Sequence, residues 1–161
     1  MKKINIIRAI LLTMLIETFV IIFGFSSQNG ETSGSLSRKV TEFIVEANIF
    51  NKNLTEEQKE IQIQNLHPKI RKLAHFSIYT LVGILLMSLC MTYKIKNSKR
   101  ITISLILGII YATTDEIHQL FIKGRSGNII DVLIDTSGVL FGIFIIFGIT
   151  HLWTRSRITN A

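Results

Sequence analysis

The chain has one cysteine and one proline among 161 residues. Cys90 therefore has no partner for an intramolecular disulfide, and its place at the end of an apolar run reads as a small packing or lipid-facing residue. Short alternating segments, which the strands of a membrane barrel would need, are lacking. So are an internal repeat and a low-complexity tract. No serine or cysteine nucleophile elbow is visible, and no glycine loop that would cradle a phosphate. Asp115-Glu116-Ile117-His118-Gln119 does not have the His-Glu-x-x-His spacing of a metalloprotease helix. No cofactor and no metal is assigned on these grounds.

What the sequence does have is long apolar blocks. It is 48% hydrophobic, and its mean hydropathy is +0.42. Spans are expected at about residues 4–25, 73–93, 101–121 and 129–153, each close to the ~20 residues that cross ~30 Å of hydrocarbon as a helix. The first is interrupted by Arg8 and Glu17. Its Met1-Lys2-Lys3 start and Gly24-Phe25-Ser26 also suit a signal peptide, but it is long for a signal core and Glu17 breaks it, so a retained helix is expected. The expectation is one all-α membrane domain over 1–161, a bundle of about four transmembrane helices.

The net charge is +7. The basic residues flank apolar runs, so membrane lipids with anionic headgroups, rather than nucleic acid, are the expected partners. With the N-terminus inside, the 18 Lys and Arg residues divide nine to each side, and the raw count decides nothing. Density favours cytoplasmic termini, because Lys94, Lys96, Lys99 and Arg100 form one tight cluster while the outer charges spread over loop 26–72. Arg71 and Lys72, abutting the second span, weigh the other way. In that loop Leu36, Val40, Phe43, Ile44, Ala47 and Phe50 recur at helical spacing, and Thr55 with Gln58 can form a capping box. Two short amphipathic helices on the membrane surface or folded over the bundle are expected, with Pro68 in the first turn of the second span.

Ionisable residues within spans cost ~2.5–3.5 kcal/mol each and usually face a bundle interior or water. Of the 11 acidic residues, five belong to or border a span: Glu17, Asp115, Glu116, Asp131 and Asp135. At ~1.5 Å per residue, Glu17 lies about 12 Å below the outer end of its helix and Asp115 about 9 Å below Phe121. Arg71, His75 and Tyr79 share one face of the second span. Asp115, His118 and Gln119 share a face of the third, with Glu116 about 100° away. Asp131, Asp135, Gly138 and Gly142 share a face of the fourth, where Gly138-x-x-x-Gly142 permits close helix approach. Lys123-Gly124-Arg125-Ser126-Gly127 is a tight basic connection. All four helices thus bring polar groups to the same end.

The stretch Arg71-Lys72-Leu73-Ala74-His75-Phe76 with Tyr79 resembles the first signature of the VanZ-like family. Asp115 to Gln119, then Gly124-Arg125, Asp131, Asp135, Gly138 and Gly142, resembles the second. Ser26-Ser27-Gln28-Asn29 fits the family's opening segment. Asp135 departs from the pattern, which more often has Asn there. The resemblance implies a membrane fold in a bacterial envelope, in the cytoplasmic membrane, and an association with glycopeptide (teicoplanin-type) resistance. It implies no defined reaction.

Three readings of the polar end stay open. It can be an ion-pair and hydrogen-bond clamp of helix register. It can be a site for a lipid headgroup, a lipid-linked wall precursor or a lipoglycopeptide, with Arg71 and Arg125 as forked donors to phosphate or carboxylate. It can be an enzyme in which His75 or His118 acts as base beside Asp115 or Glu116, or in which these groups bind a divalent metal. A proton-coupled transporter built around Glu17 is a weaker alternative.

Overall fold

The computed structural model describes residues 2–47 and 54–159, which form five helices: α1 (Lys2–Ser26), α2 (Gly30–Glu46), α3 (Glu56–Met91), α4 (Asn97–Gln119) and α5 (Ile129–Thr159). α1, α3, α4 and α5 are long and apolar enough to cross a membrane. Helices are the expected solution, since lipid offers no partner for backbone N–H and C=O groups and each must be satisfied within its own segment. The outward faces agree: Ile6, Val20, Phe23, Ile110, Leu133 and Phe144 are all exposed, as lipid-facing side chains would be.

The four long helices run alternately up and down, with α3 at the centre. α3 and α5 are in closest approach, because their glycines interleave. A Cβ on Gly138 would strike the Phe76 carbonyl, one on Gly142 the Thr80 carbonyl, and one on Gly83 the Val139 carbonyl. The glycine pair read from the sequence is therefore a backbone-to-backbone seam. α4 joins it through Ser104, Gly108 and Ala112, with Gly108 against the Val139 side chain. Around the seam lie Tyr79, Val82, Met87, Val139 and Ile143, all fully buried. α1 docks on α4 by stacking Phe19 on Tyr111 at 3.8 Å, and Tyr111 Oη donates to the Phe19 carbonyl at 2.7 Å. At the opposite end from the acidic residues, Arg8 donates to the Thr92 carbonyl at 2.8 Å and lies over the Tyr93 ring. A cation there complements the negative end of α3, a contribution of about 0.3–1 kcal/mol.

The first expected amphipathic helix is α2, capped by Asn29, whose Oδ1 accepts from the Thr32 amide at 2.7 Å. Phe50 lies outside the described residues. The second is not a separate element. The capping box at Thr55 and Gln58 forms, but it opens a single helix of 36 residues that continues through Pro68 into the span. At ~1.5 Å per residue that is about 54 Å, so the N-terminal half of α3 projects beyond ~30 Å of hydrocarbon. Pro68 costs the helix one hydrogen bond. α2 braces this stretch as an antiparallel partner: the Ser37 hydroxyl meets His67 Nε2 at 2.7 Å, and Arg38 reaches Glu60 at 2.7 Å. Ser37, Thr41 and Val45 face α3, whereas the apolar stripe of Leu36, Val40, Phe43 and Ile44 stays exposed.

Candidate functional site

At the end of the bundle where α1 stops, α2 and the 120–128 connection meet. The Gly30 amide donates to the Lys123 carbonyl at 3.1 Å. Gly124, at φ +76°, takes a backbone conformation that side chains rarely adopt. A Cβ on Gly30 would collide with the Gly124 carbonyl, so this crossing requires glycine on one side and favours it on the other. The crossing places Arg125 beneath the end of α1. Its Nε donates to the Gln28 carbonyl at 3.0 Å, one Nη to the Phe25 carbonyl at 2.8 Å, and the other to Gln119 Oε1 at 3.2 Å. Burial, then the nearby Arg71, lowers the proton affinity of Arg125 from the ordinary arginine value. The charge persists, because an arginine starts so high.

From Gln119 the network passes into the bundle. Its Nε2 donates to Asp115 Oδ2 and to Glu116 Oε1, both at 3.1 Å. Glu116 Oε2 accepts from the Asn128 amide at 3.0 Å. Asn128 in turn caps α5, its Oδ1 accepting from the Ile130 amide at 3.0 Å. Asp135 lies nearly two turns into α5, 0% exposed, and among the described residues neither carboxylate oxygen has a hydrogen-bond partner. His75 Nδ1 stands 3.4 Å from Asp135 Oδ1, within ion-pair range but without hydrogen-bond geometry. Ligand atoms of His75, Glu116 and Asp135 lie within 4.8 Å of one another. The buried Tyr79 hydroxyl and the Ser26 hydroxyl also lack partners.

Above these groups opens a cavity of about 350 Å³. One wall is apolar: Ile22 and Phe25 of α1, Leu36 and Val40 of α2, Ile70 and Ile78 of α3. The other presents Arg71, His75, Tyr79, Asp115, Gln119 and Arg125. Of the two guanidiniums, only that of Arg125 is engaged. Among the described residues no acceptor lies within hydrogen-bond distance of Arg71, which is half-buried at the cavity wall.

The structure brings together most of the residues singled out by sequence: Arg71, His75, Tyr79, Asp115, Glu116, Gln119, Arg125 and Asp135. Asp131 is half-buried at the head of α5, within electrostatic range of Glu116 and Asp135 but outside the hydrogen-bond network. His118 belongs elsewhere. It stacks on Phe23 of α1 at 4.6 Å and meets the Ser27 hydroxyl at 3.1 Å, so it joins helices outside the cavity. Glu17 is exposed on α1 and, among the described residues, has no partner. Its helix turns Leu15, Thr18 and Ile22 inward, which leaves Glu17 on the lipid-facing side. Asn128 is an addition, and Ser26, named in the sequence only as part of the family's opening segment, joins the cavity wall. Asn128 was signalled by its position just before an apolar run, where helix caps fall.

A family model described as VanZ/LLP1 matches residues 9–152 of the chain. No curated protein and no solved structure is significantly similar to it.

Proposed function

The chain belongs to the VanZ/LLP1 family, and from that premise we propose that it binds the anionic headgroup of an amphiphile in the cavity at the polar end of the bundle. The observation that carries this reading is Arg71: a guanidinium at the wall of a largely apolar cavity, with no acceptor of its own among the described residues. A half-buried guanidinium that bonds no protein group among the described residues keeps its forked donors open, and a phosphate or carboxylate is what such a pair recognises best. The apolar wall suits an acyl or prenyl chain. The exposed stripe of α2 continues that wall outward, so a lipid-like molecule would enter from the side.

The amphiphile class includes phospholipid, lipid-linked wall precursor and lipoglycopeptide. Sequestering any of them would alter access of a teicoplanin-type drug to its target, and this is how the protein would contribute to glycopeptide resistance. The protein would sit in the bacterial cytoplasmic membrane with both termini inside, so the cavity opens on the outer half. Arg8 and the Lys94–Arg100 cluster at the other end support that orientation. The test is drug susceptibility in a host expressing wild type or Arg71→Ala at equal membrane levels. Loss of the phenotype with Arg71→Ala is expected, and unchanged resistance would count against the reading.

A second reading has one observation in its favour. His75 lines the cavity beside the fully buried Asp135, an arrangement that can orient an imidazole as general base. Conversion of a bound envelope lipid by the wild type, absent in His75→Gln, would establish it.

A further inference from the structure

We infer that His75, Glu116 and Asp135 form a site for one divalent transition-metal ion beneath the cavity. The three residues come from three helices, α3, α4 and α5, and their ligand atoms lie within 4.8 Å of one another. The His75 Nδ1 to Asp135 Oδ1 separation is 3.4 Å. Two ligands each ~2.1 Å from a tetrahedral ion stand about that far apart. Glu116 needs only a small side-chain movement to complete the set, and it is already oriented by the Asn128 amide and Gln119. Donors of that kind behind a ligand fix its direction.

The charge balance gives the independent argument. Among the described residues, both oxygens of Asp135 are buried and without a hydrogen-bond partner, and so is the Tyr79 hydroxyl, which lies in electrostatic range of Asp115, Asp135 and Glu116. An isolated buried carboxylate is strongly unfavourable. A proton on His75 would offset one carboxylate, whereas Asp135 and Glu116 present two, with Asp131 nearby. Arg125 and Arg71 keep their charges but bond neither Glu116 nor Asp135, and across the cluster they offset no more than Asp115 and Asp131. A dication offsets both carboxylates at once. One imidazole with two carboxylates suits Mn²⁺, Fe²⁺ or Zn²⁺ better than Ca²⁺ or Mg²⁺, which favour all-oxygen sets, or Cu⁺, which favours sulfur. Three protein ligands leave a position for water or for an oxygen of a molecule in the cavity, which His75 and Tyr79 also line.

The experiment uses the full chain in detergent micelles, stripped with EDTA and then equilibrated with Zn²⁺ or Mn²⁺. Metal content is read by mass spectrometry and thermal stability by circular dichroism. One ion per chain is expected in the wild type, with a rise in Tm that EDTA reverses. Asp135→Asn and Glu116→Gln should each weaken binding at least tenfold. Arg71→Ala should keep the metal while losing any amphiphile, so this site and the anion-binding reading fail separately. Well under one ion per chain in the wild type at micromolar free metal would overturn the inference whatever the variants do. Undiminished binding by folded Asp135→Asn would overturn it too.

Discussion

Arg71 and Arg125 line one cavity, but among the described residues only Arg125 has hydrogen-bond acceptors, on Gln28, Phe25 and Gln119. The two cations therefore do different work. Arg125 ties the end of α1 to α4, and Arg71 is available to something else. Loss of function in an Arg125 variant would report folding and binding together. Arg71 separates them.

Arg125→Ala should be strongly destabilising. It removes a charged donor from three acceptors, and hydrogen bonds to charged groups are worth about 1.5–3 kcal/mol each before non-additivity. A loss of about 3 kcal/mol is expected in chemical denaturation from micelles, against about 0.5 kcal/mol or less for Arg71→Ala. Equal losses would contradict the assignment of clamp and site.

The α3–α5 seam should not accept a larger side chain. Gly142→Leu would force a Cβ into the Thr80 carbonyl, which belongs to backbone and cannot rotate away. Overpacking commonly costs about 1–3 kcal/mol, and the upper end or beyond is expected here. Gly148, with nothing within 4 Å of an added Cβ, is the control, and Gly148→Ala should fold normally. Size-exclusion profiles and melting curves of the two variants decide it.

Pro68 tests whether α3 is one helix. In a continuous helix Pro68→Ala restores a hydrogen bond and relieves a clash with the preceding turn, so the protein should gain up to about 3 kcal/mol. If Pro68 instead began a new helix, it would be well placed there and alanine would bring no gain. Thermal melts of the two proteins distinguish these outcomes.

Glu17 should be dispensable to the site. It is exposed on α1, away from the cavity-lining residues. Glu17→Leu should insert more readily, by roughly 2 kcal/mol if it behaves like other acidic residues at mid-span, and should leave the proposed amphiphile and metal binding unchanged. Loss of either would show that the α1 surface takes part.

Much of this was legible in the sequence, for identifiable reasons. The apolar run at residues 129–153 needed no tertiary information, because lipid enforces helix wherever a run is long enough. Thr55 and Gln58 announced their cap through local chemistry. Gly138 and Gly142 announced a close approach through their spacing, although not that α3 would be the partner. The misplacements of His118 and Glu17 have one cause in common. Helical spacing tells which residues share a face, but not where the neighbouring helix lies. The buried arc of α4 holds Asp115, Glu116 and Gln119, all within about 100° of one another, and His118 falls outside it toward α1. Glu17 looked like a bundle residue because intramembrane carboxylates usually are, yet its neighbours Leu15, Thr18 and Ile22 claim the inner face. Pro68 looked like a helix start, yet it sits mid-helix in a stretch that α2 braces through Ser37 and Arg38. The grouping of His75, Glu116 and Asp135 needed three helices in register, which no single segment encodes.

The central claim is that Arg71 holds an anionic amphiphile, and the most direct test is the lipid that travels with the protein. Wild type and Arg71→Ala are purified in mild detergent with native lipid, and bound molecules are identified by native mass spectrometry. The account predicts a phosphate- or carboxylate-bearing amphiphile on the wild type and at least a tenfold loss on Arg71→Ala, with melting temperatures essentially equal. Equal occupancy of the two proteins, or a wild type carrying no anionic amphiphile, would contradict it.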